Sequence, residues 1–126
     1  MAVILPARVL LDLKARADAQ QPYECCGLLV GTPGVVEQAW EFANSSPDPV
    51  RRYEISPAHL ISAQKRARAA TRQILGVYHS HPDSPAYFSP TDLANAVPWF
   101  LYLIIGTDGW RLYDAHGHTV EATVIE

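Results

Sequence analysis

Behind Pro6, residues Ala7 to Gln20 place Leu10, Leu13 and Ala17 at three- and four-residue spacing, with Asp12, Lys14, Arg16 and Asp18 between them. That period predicts an amphipathic helix ending near Gln21-Pro22. From Tyr23 the pattern changes to the short apolar run Glu24-Cys25-Cys26-Gly27-Leu28-Leu29-Val30, which stops at the turn formers Gly31-Thr32-Pro33-Gly34. A second strand from Val35 to about Phe42 completes a predicted hairpin. Asn44 to Arg52 is dense in Ser, Pro and Asp and reads as the longest loop. Ser56-Pro57 then caps a helix from about Pro57 to Arg72 whose outer side carries Lys65, Arg66, Arg68 and Arg72.

Gln73 to Tyr78 is a buried-strand signal that runs directly into His79-Ser80-His81-Pro82. After a loop, Ser89-Pro90-Thr91-Asp92 opens a further helix that must finish near Pro98. Trp99 to Gly106 and Gly109 to Tyr113 read as strands joined at Thr107-Asp108-Gly109, with a last strand near Thr119 to Ile125. The order of helix, two strands, helix, strand, helix and strands predicts a mixed α/β (α+β) fold with helices packed on one sheet.

The chain has 126 residues, 48% apolar and 18% charged, which fits one domain over residues 1–126 and excludes intrinsic disorder. A net charge of −3 gives no general footprint for nucleic acid or an acidic membrane surface. No apolar run approaches the roughly 20 residues of a membrane span. The N-terminus lacks a basic start and a long apolar run, so a cytoplasmic location is expected. Cys25 and Cys26, the only cysteines, are adjacent and miss the CxxC spacing of metal and redox motifs. Buried thiols are the favoured reading over a reactive or metal role.

In an extended strand, residues two apart face the same side, so His79 and His81 can offer two imidazole nitrogens to one metal ion. Asp92, in the first turn of the next helix, can return a carboxylate oxygen as a third ligand. Three protein ligands leave a fourth position for water, the open arrangement of catalytic zinc. Each part also has an ordinary reading. An HxH at a strand end is a weak metal signal alone, and Ser89 with Asp92 is the S-x-x-D of any capping box. The two roles are compatible, because a capped helix start would hold the carboxylate in place. A second HxH, His116-Gly117-His118, has no acidic or cysteine companion at a recognised spacing after it, and no second metal site is expected there. His59 reads as an early helix residue. HExxH and PCxxC are both absent.

Glu24, then His79-Ser80-His81, the seven residues Pro82 to Phe88, and Ser89-Pro90-Thr91-Asp92 together resemble the motif of the JAMM metalloproteases, or MPN+ domains, in their small prokaryotic form. The resemblance spans roughly residues 5 to 125. It implies an MPN/JAMM fold with a mixed curved sheet flanked by helices, of cytidine-deaminase-like architecture. It also implies one zinc ion held by His79, His81 and Asp92, with Glu24 as general base and Ser89 assisting the oxyanion or the water. The implied substrate is the bond after the C-terminal glycine tail of a ubiquitin-like or sulfur-carrier protein, cleaved as a peptidase or isopeptidase by a monomer or homodimer, with no nucleic-acid or membrane partner. Tyr87 and Phe88, between the ligands, either wall the tail's path or simply pack. The Asn44 to Arg52 loop and the segment after Asp92 are short compared with the insertions by which eukaryotic members grip ubiquitin. Two other readings are a non-catalytic MPN-type scaffold, which the complete motif opposes, and a zinc hydrolase linked to DNA repair, supported only by the basic helix.

Overall fold

A computed structural model describes residues 2–126. Seven strands form one mixed sheet in the order β6-β5-β4-β2-β3-β1-β7. The elements are β1 (Val3–Pro6), α1 (Ala7–Gln20), β2 (Cys26–Thr32), β3 (Val35–Phe42), α2 (Pro57–Ala69), β4 (Gln73–Ser80), α3 (Pro90–Ala94), β5 (Leu101–Gly106), β6 (Gly109–Tyr113) and β7 (Ala122–Ile125). The first helix, the hairpin and the β5-β6 pair match the sequence pattern closely.

Each difference has an identifiable cause. β1 has only four residues and no visible alternation. It is a strand because it runs parallel to both β3 and β7, with the Val3 amide donating to Glu121 and the Ile4 amide to Gly34. α2 stops at Ala69, three residues before the expected end, because Thr71 takes a positive φ of 59° and the Arg72 amide folds back onto the Ala67 carbonyl. β4 continues through His79 to Ser80, since β2 on one side and β5 on the other supply a ladder to its end. Thr119 makes only an isolated bridge to Tyr113, so β7 begins later, at Ala122.

Alternation along the central strands divides the core into two layers. α1 buries Val9, Leu13 and Ala17 against one face of the sheet, where Leu29, Val36, Tyr78, Leu103 and Leu112 lie. α2 buries Ala63 and Ala67 on the opposite side, in the layer of Leu28, Val77, Tyr102 and Ile104. Cys26 pairs with His79 and Leu28 with Val77 across β2 and β4. His79, two residues after Val77, therefore lies on the α2 side at the end of a central strand. Its side chain is fully buried.

Candidate metal centre

The His81 amide donates to the Ile105 carbonyl at 2.8 Å, carrying the backbone one residue past β4 before Pro82 turns it away. The loop that follows is pinned to the β5-β6 turn. Thr107 donates to the Ser84 carbonyl, the Ala86 amide to Asp108, and the Tyr113 hydroxyl to the Ala86 carbonyl. The loop then returns to open α3 at Ser89. There the Asp92 amide donates to Ser89 Oγ and the Ser89 amide to Asp92 Oδ2, each at 3.0 Å. This reciprocal cap turns the Asp92 carboxylate back toward the histidines. Asp92 thus both caps the helix and sets its carboxylate beside the two histidines.

His79 Nε2 lies 3.2 Å from His81 Nε2 and 3.1 Å from Asp92 Oδ1, and His81 Nε2 lies 3.4 Å from Asp92 Oδ2. Ligands about 2.0–2.1 Å from a tetrahedral zinc stand roughly 3.3 Å apart, so the spacing of these donors fits that ion. The tautomer fits as well. His81 Nδ1 is 3.0 Å from the Pro85 carbonyl, which can only accept, so Nδ1 keeps its proton in the neutral ring and Nε2 then offers its lone pair, whereas the charged ring donates from Nε2 to Asp92. Among the described residues, His79, His81 and Asp92 are the one group of three such donors within 4.8 Å of one another.

Glu24 stands just before β2. Cys26 pairs with His79, and the Ser80 amide donates to the Cys25 carbonyl at 3.0 Å, so continuing this antiparallel register sets Glu24 opposite His81. Ser80 Oγ fixes the approach by accepting from the Cys25 amide at 2.8 Å. Glu24 and Asp92 are 68 positions apart in the chain, yet both border one open cavity of about 980 Å3 with His81, Ser89, Tyr53 and Tyr87.

Charges in this buried pocket are strongly perturbed. Burial, with the negative charges of Asp92 and Asp48, raises the Glu24 carboxyl to about 7 against the opposing pull of His81. Burial lowers the pKa of His79. It also opposes protonation of His81, but the hydrogen bonds to Asp92 and Pro85 and the charges of Asp92 and Glu24 outweigh it and raise that pKa. For Asp92, burial is overcome by hydrogen bonds from both histidines and from the Ser89 amide, which hold the carboxyl well below its ordinary range.

Aromatic rings frame the donors. Tyr53 stacks on His79 with centroids 4.3 Å apart, and Tyr87 meets His81 edge-on at 5.2 Å. The two loop aromatics separate in role. Tyr87 is half exposed on the cavity rim, whereas Phe88 packs against Tyr102 and Tyr113 in the core. Sequence reasoning missed Tyr53 and Asn44, because the only signal in that segment was its density of turn formers. Cys25 and Cys26 are free and buried, and burial pushes the Cys26 thiol up to about 12. His116 and His118 hold exposed positions around Asp114, whose carboxylate accepts from both of their amides. Of the four basic residues expected on the second helix, Arg66 lies over the Trp40 ring at 4.0 Å and Arg72, beyond the helix end, pairs with Glu37, so half of the expected cationic face is engaged within the fold.

Comparison with known proteins agrees with this geometry. Residues 6–117 match the family described as prokaryotic homologs of the JAB domain. The chain is 33% identical over 113 residues to a probable TtuB-protein conjugate cleaving protease of Thermus thermophilus, covering 90% of this chain and 76% of the relative. It is 33% identical over 104 residues to a desampylase of Haloferax volcanii, covering 80% and 75% respectively. A JAB1/MPN domain protein from Archaeoglobus fulgidus shares the fold, with a TM-score of 0.70 at 19% identity over 100% of this chain and 98% of that one. The chain therefore belongs to the prokaryotic homologues of the JAB domain, the small prokaryotic branch of the JAMM/MPN+ family.

Proposed function

We propose that residues 1–126 act as one JAMM domain that binds one zinc ion through His79, His81 and Asp92 and hydrolyses the bond after the C-terminal glycine tail of a ubiquitin-like or sulfur-carrier protein. The observation that carries this reading is a buried His-His-Asp donor set, two of whose members, His81 and Asp92, border the same cavity as a buried carboxyl, Glu24. When bound, zinc lowers the pKa of a coordinated water and polarises a carbonyl oxygen.

The chain's own groups supply the rest. A Glu24 carboxyl oxygen takes the proton of the attacking water and returns it to the departing amine. A carboxyl on the cavity wall beside His81 and Asp92 is placed to carry that proton from one group to the other. Ser89 Oγ already accepts from the Asp92 amide, which leaves its O–H to donate to the oxyanion developing in the cavity. The Pro85 carbonyl keeps His81 in one tautomer, and the stacked Tyr53 ring keeps His79 in one plane.

The substrate class rests on the relatives named as a conjugate-cleaving protease and a desampylase. The cavity is a cleft between the loop joining β3 to α2 and the loop joining β4 to α3, a shape that suits a slim extended tail better than a broad protein surface. The test incubates zinc-loaded protein, chelated protein and Glu24→Gln with ubiquitin-fold proteins bearing C-terminal extensions, and identifies products by mass spectrometry. Cleavage after the terminal glycine by the zinc-loaded wild type alone is expected. Equal cleavage by the chelated protein overturns the reading.

A further inference from the structure

Neither backbone polar group of Glu24 belongs to the regular β2 ladder. Its amide donates to the Pro49 carbonyl at 2.8 Å, and its carbonyl accepts from Asn44 Nδ2 at 3.0 Å. The proposed base is thus suspended from the loop that follows β3. The same Asn44 side chain folds that loop. Nδ2 also donates to the carbonyls of Arg52 at 2.9 Å and Pro49 at 3.4 Å, while Oδ1 accepts from the amides of Ser46 at 3.0 Å and Glu54 at 3.1 Å. Every donor and lone pair of the amide is engaged. Arg52 and Glu54 flank Tyr53, so both neighbours of the residue stacked on His79 are fixed by the group that holds Glu24.

We propose that Asn44 is a positioning residue that locks the backbone of Glu24 and the Tyr53 ring over His79 into one frame. The proposal rests on the reading of Glu24 as general base. An Asn is specifically required, because the carbonyls of Glu24 and Arg52 need donors while the amides of Ser46 and Glu54 need an acceptor. Only a side-chain amide of this length offers both.

Asn44→Asp keeps the acceptor half and removes the donors to Glu24 and Arg52. Ser45→Ala is the control for general loosening. It removes the hydroxyl that donates to the Glu54 carbonyl at 2.9 Å and leaves every Asn44 contact in place. The measurements are kcat and KM on a ubiquitin-fold protein with a C-terminal peptide extension, zinc affinity, and hydrogen exchange of the Glu24 amide in the metal-free protein. Asn44→Asp is expected to lower kcat by about 10- to 100-fold, the range typical of outer partners of a metal site. KM and zinc affinity should each stay within about threefold, and Glu24 amide exchange should accelerate, whereas Ser45→Ala stays near wild type in all four.

Wild-type kcat and exchange in Asn44→Asp overturn the proposal, as does an equal loss in Ser45→Ala. Glu24→Gln, run in parallel, separates the two levels of inference. If it retains wild-type turnover, the general-base reading itself fails. If it is inactive while Asn44→Asp is not, only the role of Asn44 fails.

Discussion

Glu24→Gln separates chemistry from stability in a single side chain. The carboxyl rises from 4.5 to about 7 on folding, chiefly because burial penalises its charge. Between those values the folded chain keeps a proton that the unfolded chain has released, so the metal-free protein loses stability as pH climbs through that window and the cost is complete above it. At about 1.4 kcal/mol per unit the shift sets a ceiling near 3 kcal/mol, and solvent in the open cavity screens this to about 1–2 kcal/mol. Glutamine has a similar shape and never ionises. Metal-free Glu24→Gln should therefore match wild type near pH 4 and exceed it at pH 8, by about 4–8 °C in Tm for a domain of this size. Groups remote from Glu24 cancel in the comparison, whereas His81, whose charge couples to that of Glu24, loses part of its own upward shift in the variant. In the zinc-loaded enzyme the same substitution should lower kcat by at least about 100-fold and leave the metal bound, since no ligand is lost. Thermal melts across pH with chelator, metal analysis and product assays on the loaded protein read out each part. A Tm difference independent of pH refutes the account of Glu24 as a carboxyl strained by burial, and undiminished kcat refutes its role as base.

Asp92→Asn should weaken zinc binding by more than about 100-fold in a competition titration with a chromogenic chelator, exceeding what outer partners cost, because the anionic ligand itself is lost. Ser80→Ala leaves the buried Cys25 amide without its 2.8 Å acceptor and should cost about 1–3 kcal/mol in urea denaturation of the metal-free protein. A Cβ on Gly27 would overlap the Trp40 carbonyl and the Tyr78 ring, so Gly27→Ala should destabilise by about 1–3 kcal/mol in the same assay, and unchanged stability would show that the β2-β4 region yields easily.

Much of the site was legible because its parts are local. The two-residue period of a strand puts His79 and His81 on one side, and the Ser89-Asp92 spacing encodes a cap within a single turn of helix. α1 was legible from Leu10, Leu13 and Ala17 for the same reason, although the residues it buries fully are Val9, Leu13 and Ala17. The loop after β3 was not legible as part of the site. Its composition announced turns, but nothing in the spacing of Asn44, Pro49 and Tyr53 reveals that they converge on Glu24 and His79. The adjacent Tyr87 and Phe88 likewise gave no sign that one would line the cavity and the other enter the core.

The sequence by itself determined the donor types, their local spacing and the strand and helix ends that present them, because these depend on backbone periods of two to four residues. Only the tertiary structure decided that Glu24 meets the His-His-Asp set, that Tyr53 lies over His79 and that β1 is a strand at all. Those facts depend on strand order and register, which are set by burying both faces of a seven-stranded sheet at once. No short window of the chain contains that constraint.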